Sequence, residues 1–290
     1  MTAFLDLAAR GRTDWWRYPL AVALAMAVWV ILFVVLFVAI DLIGPMPPNL
    51  AGELTQPTHI QAFFGGTAVM FGALLATFTL AIRLIHRKRF SDITGPWNWR
   101  QMGRGALVWF AACVLAGVAD YLIDPAGFRV SAGPATLTLA LWALPSLAVQ
   151  TFAEEFLFRG YLTQALLLAT RRPLVASLAS GLIFASLHIP NGWPQAASAA
   201  AFGTVTALIA IRTGGIAFTY GLHIVNNVFG AVFLVSAADV FKGSPALVTQ
   251  ATPNLVWVDA AVPLLGLMAA LWVAGVRPAW LSPRPSSAPQ

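Results

Sequence analysis

Apolar residues in this chain come in long unbroken blocks, near positions 19–40, 62–85, 105–123, 136–153, 173–189, 196–211, 216–236 and 256–275. A helix needs about 20 mostly apolar residues to cross the hydrocarbon core of a bilayer. The blocks have this length and lack the period-two alternation of barrel strands. The bilayer interior offers no water to an open backbone, so helices are the structure they predict. The expected fold is all-α: a polytopic membrane protein with about eight transmembrane helices and any polar site inside the bundle. The first block follows Arg10, Arg12 and Arg17, as in a signal peptide. It is longer than such a segment's apolar region and lacks a convincing cleavage site, so it reads as a retained helix.

The polar residues between the blocks are unevenly distributed. Arg10, Arg12 and Arg17 precede the first block; Arg83, Arg87, Lys88, Arg89, Arg100 and Arg104 follow the second; Arg171, Arg172, Arg212, Arg277 and Arg284 flank later ones. The alternate loops carry only Arg129 and Lys242. By the positive-inside rule this predicts two cytoplasmic termini and an integral protein of a bacterial inner or plasma membrane. Segments 3–17 and 90–104 mix Trp, Phe and Leu with basic residues and read as interfacial anchors. The Pro- and Ser-rich tail after Trp280 predicts disorder. The expected organisation is 1–135 for the N-terminal segment and helices 1–3, 136–276 for a catalytic set of helices 4–8, and 277–290 for the tail.

Composition narrows the partners. The chain is 59% hydrophobic and 10% charged, with a net charge of +6. Its basic residues sit at block ends without the aromatic-basic pattern of nucleic-acid binders, so lipid is the expected partner and nucleic acid is not. A single cysteine, Cys113, excludes an intrachain disulfide and a cysteine-based zinc site.

Ionisable residues inside spans are costly and point to function. Glu154 and Glu155, with Arg159, interrupt the fourth block, which continues through Tyr161 to Leu168 and so predicts one long helix from about 137 to 169. Glu155 and Arg159, four apart, share a face and can pair, whereas Glu154 points elsewhere and stays free for chemistry. His188 closes the fifth block. His223 and Asn227 share a face in the seventh, with Asn226 beside it as a helix-to-helix hydrogen-bonding residue. A carboxylate that takes a proton from water, with His and Asn donors for an oxyanion, suits hydrolysis. Two His and a Glu also make a ligand set compatible with catalytic zinc, although a His-Glu-x-x-His motif is absent.

The three motifs, Glu154-Glu155-Phe156-Leu157-Phe158-Arg159, Phe184 to His188 and His223 to Asn227, resemble those of the CPBP family, which comprises the type II CAAX prenyl endopeptidases and the bacteriocin-processing Abi-like proteins. The resemblance covers residues 137–235. It implies an intramembrane endopeptidase, often described as a metalloprotease, acting on membrane-embedded or membrane-associated peptides, prenylated or hydrophobic. It implies that Glu154 and His188 activate water, that His223 and Asn227 stabilise the oxyanion, that Glu155 and Arg159 order the site, and that any zinc would bind Glu154, His188 and His223. The alternatives are a catalytically silent membrane scaffold or immunity factor, and a proton- or ion-coupled transporter.

Span counting raises a difficulty of depth. Glu154 lies roughly 25 Å along its helix from Arg171, and His188 is similarly far from Pro173, whereas His223 lies roughly 16 Å from Arg212. A common site requires helices 4 and 5 to project beyond the bilayer or to tilt differently.

Overall fold

A computed structural model describes residues 2–43, 54, 56–237, 240–251 and 256–277. The tail beyond Arg277 and the prolines at 45, 47 and 48 lie outside the described residues.

The chain is almost wholly helical. A short α1 (Thr2–Ala8) leads to α2 (Arg17–Ile43) and α3 (Pro57–Ala81), which continues through a π turn, Ile82–His86. After the one-turn α4 (Phe90–Thr94) come α5 (Trp99–Ile123), β1 (Phe128–Val130) and α6 (Pro134–Glu154). A π-helical segment, Glu155–Leu162, joins α6 to α7 (Thr163–Thr170) without a break. Then follow α8 (Pro173–Ser186), α9 (Trp193–Thr213), α10 (Ala217–Val228) with its π extension Phe229–Phe233, β2 (Leu234–Ser236), β3 (Val248–Gln250) and α11 (Val256–Val273). Every apolar block forms a helix. The third span starts at Trp99, so the stretch read as interfacial up to 104 includes its first turns. Three-residue strands in the order β1-β3-β2 form a small sheet that the hydropathy pattern does not announce.

Among the described residues, five helical stretches are long and apolar enough to cross a membrane, and two shorter apolar helices accompany them. The chain is an integral membrane protein. On α2, the consecutive residues from Val30 to Leu36 are all exposed, which only lipid makes favourable.

Small residues bring the helices together. An added Cβ on Gly203 would meet the backbone of Gly181, so α8 and α9 pack closely there. Gly105 of α5 likewise abuts the Phe218 carbonyl, and Gly221 of α10 the Met102 carbonyl. These contacts clamp α10, which carries two of the candidate site residues, against α5.

The fourth helix reaches a common level with α10 by running past the start of α10. The Ile216 N–H, at the start of α10, donates to the Thr94 carbonyl at 2.9 Å, and Gln164 Nε2 donates to the Asp92 carbonyl at 2.7 Å. Ile93 packs against Gly160. Residues 92–94 therefore hold the start of α10 level with Gly160–Gln164. The helix of α7 runs on past this level to Thr170 before Arg171, in the left-handed conformation, turns the chain into α8. α1 covers the projecting ends: Phe4 is fully buried among Leu167, Ala176, Ala210 and Ile211. This corrects the interfacial reading of residues 3–17, because Phe4 and Leu7 face protein rather than lipid. Trp15 is 81% exposed.

Candidate active site

The fourth span is one continuous helix, Pro134–Thr170, that widens into π turns across the Glu-Glu-x-x-x-Arg motif. Such turns are rare, and they concentrate at functional sites because they displace side chains from the regular α-helical phase. Glu155 and Arg159 are both fully buried, and Arg159 Nη1 lies 3.4 Å from Glu155 Oε1. Arg159 Nε donates to Thr206 Oγ1 at 2.9 Å, a tie to α9. The guanidinium lies 4.2 Å from the Phe184 ring centre, at cation–π distance. Phe184 in turn packs against the His188 ring at 4.6 Å. The aromatic residue of the Phe-x-x-x-His motif is thus the plate between the buried cation and His188.

His223 links the two acids. Its Nδ1 is 2.7 Å from Glu155 Oε1, and its Nε2 is 3.6 Å from Glu154 Oε2. With Nδ1–H donated to Glu155, Nε2 is the nitrogen left to face Glu154. The Phe202 ring stands edge-on to the imidazole at 5.0 Å. Glu154 Oε1 accepts from Gln150 Nε2 at 3.1 Å, one turn back. Glu154 keeps some exposure, whereas Glu155 has none. Glu155 therefore faces Arg159 and His223, and Glu154 faces Gln150 and His223.

His188 Nδ1 lies 3.0 Å from the Phe184 carbonyl. A carbonyl only accepts, so Nδ1 carries the proton and Nε2 is the free acceptor. Asn227 Nδ2 donates to Thr151 Oγ1 at 3.0 Å. His188, His223, Asn226 and Asn227 line one cavity of about 420 Å³, together with Trp109, Phe202 and Leu264. Glu154 is absent from its wall and joins the group through His223.

Among the described residues no three His, Cys, Asp or Glu side chains converge as a ligand group. Both His223 nitrogens already face carboxylates, and His188 stands apart beyond Phe184. As arranged, the donors do not fit a three-ligand catalytic zinc, so no step below runs through a metal.

Sequence reasoning missed Gln150, Thr151, Thr206, Phe202 and Trp109. Gln150 and Thr151 had a signal, four residues before Glu154 and Glu155 on the same helix; the others are joined to the site only by folding. Asn226, read as a residue bonding neighbouring helices, does so: it accepts from Trp109 Nε1 of α5 at 3.0 Å.

Residues 136–229 match the family model described as type II CAAX prenyl endopeptidase Rce1-like. That segment holds all three motifs. The uncharacterized protein YyaK of Bacillus subtilis is 28% identical over 282 residues, covering 90% of this chain and 93% of its own. No solved structure matches. The likeness to the Rce1-like endopeptidases is a property of that segment.

Proposed function

We propose that this chain, with an Rce1-like segment spanning its polar cluster, is an intramembrane endopeptidase that cleaves membrane-associated peptides by direct attack of water. The observation that carries the reading is His223 held between Glu155 and Glu154, on the wall of a cavity that also presents His188 and Asn227. Glu154 takes a proton from water, and the water oxygen attacks the carbonyl carbon. Negative charge develops on the carbonyl oxygen, which accepts from the Nδ2–H of Asn227 and, in the imidazolium form, from the Nε2–H of His223. The C–N bond then breaks, and the leaving nitrogen takes back the proton held by Glu154. His188, with Nε2 free, orients the water from the other side.

Glu155 and Arg159 act by position. Glu155 grips Nδ1 of His223 and so fixes the direction of Nε2. Arg159 balances that buried carboxylate, and its bond to Thr206 ties the motif helix to α9. The basic loops put both termini in the cytoplasm in this reading.

The test compares the membrane proteomes of cells expressing wild-type protein and Glu154→Gln. New peptide termini should appear only with wild type, at matched levels of folded protein. Identical termini in both would overturn the role of Glu154.

A further inference from the structure

Four side chains along the cavity form a hydrogen-bonded line. Trp109 Nε1 donates to Asn226 Oδ1 at 3.0 Å, Asn226 Nδ2 donates to Asn227 Oδ1 at 3.1 Å, and Asn227 Nδ2 donates to Thr151 Oγ1 at 3.0 Å. An asparagine amide can sit in either of two orientations unless a neighbour decides between them. Here the neighbour is an indole, which can only donate. Asn226 must therefore turn its oxygen toward Trp109 and its NH₂ toward Asn227. Asn227 must then accept at Oδ1 and present its NH₂ on the other edge. One of those two hydrogens goes to Thr151, and the second is left over.

Trp109 is well placed to set this direction. It is 4% exposed. Its ring meets Phe202 edge-on at 5.5 Å, and Gly266 of α11 packs close against it. Trp109, Asn226 and Asn227 all line the cavity.

We propose that Trp109 and Asn226 are positioning residues that fix the amide polarity of Asn227, so that its spare N–H is the one presented to the cavity. The proposal rests on the peptidase reading, in which Asn227 donates to the oxyanion. Losing the relay leaves Asn227 in place but free to turn, so it costs less than losing the donor itself, which lowers kcat by about 10²–10³.

The experiment uses full-length protein in detergent and a quenched-fluorescence lipopeptide ending in a farnesylated CAAX sequence. Trp109→Phe keeps the ring and removes the N–H. It should lower kcat by about tenfold with KM unchanged, and it should add no further loss in an Asn227→Ala background. A second readout needs no substrate: the indole N–H resonance of Trp109 in ¹⁵N-tryptophan-labelled protein, assigned by its loss in Trp109→Phe, should move upfield in Asn226→Ala. An unmoved resonance would overturn the relay, as would full additivity of Trp109→Phe with Asn227→Ala. Wild-type cleavage by Asn227→Ala, with the resonance shift present, would instead overturn the oxyanion role and leave the relay standing.

Discussion

Glu155 and His223 are joined by a contact of 2.7 Å between Oε1 and Nδ1, across 68 positions of sequence. The bond makes the second acid of the motif a holder of the histidine rather than a second base. Glu154 lies 3.6 Å from the opposite ring nitrogen and is the proton acceptor in the proposed reaction.

This division separates stability from activity. Replacing Glu155 by Ala leaves Arg159 buried without its counter-charge, and removal of one partner of a buried pair costs about 3–5 kcal/mol. Thermal unfolding in detergent should show that loss for Glu155→Ala, whereas Glu154→Gln should unfold near the wild-type temperature while losing cleavage. Equal destabilisation by both would remove the basis for assigning them different roles.

The donor geometry makes a prediction about metal. Cleavage by purified protein should survive incubation with a strong chelator, and its zinc content should be well below one per chain. A loss of activity on chelation that added zinc restores would mean that His188 moves to join His223 and Glu154 as a ligand.

The N-terminal segment supplies a pH prediction. Lys88 is buried, and its Nζ donates to the Ala8 carbonyl at 2.7 Å. Burial pushes its pKa down to about 8, against an opposing pull from Asp92. The unfolded chain therefore holds this proton more tightly than the folded one between about pH 8 and the ordinary lysine value near 10.4. The contribution of Lys88 to stability should rise with pH across that window and be absent from Lys88→Met. Chemical unfolding of the two proteins from pH 7 to 10.5 measures the difference. A constant difference across the window would show that the ammonium reaches water.

Arg10 braces the same region through a 2.8 Å ion pair with Asp92, and the His86 ring links the Arg12 carbonyl (2.7 Å) to the Tyr161 hydroxyl (2.9 Å) within the π segment. None of this was legible from residues 3–17 read alone. Their apolar face looks the same whether lipid or α7 and α9 cover it. The reading of Glu155 with Arg159 did carry through, because residues four apart on one helix are neighbours whatever surrounds them. The role of Phe184 was not legible, because its partner Arg159 comes from another helix.

The sequence by itself determined the spanning helices, the asymmetry of basic residues and the short set of polar side chains worth attention. Each depends on residues close in the chain: an apolar run buries its own backbone, and a charge within it is costly wherever the helix lies. Only the tertiary structure decided that His223 stands between the two glutamates, that His188 lines the same cavity, and that Trp109 bonds Asn226 there. The Trp109–Asn226 bond spans 117 positions, and its existence depends on how closely glycines let α5 and α10 approach. Hydropathy, being local, carries no record of that distance.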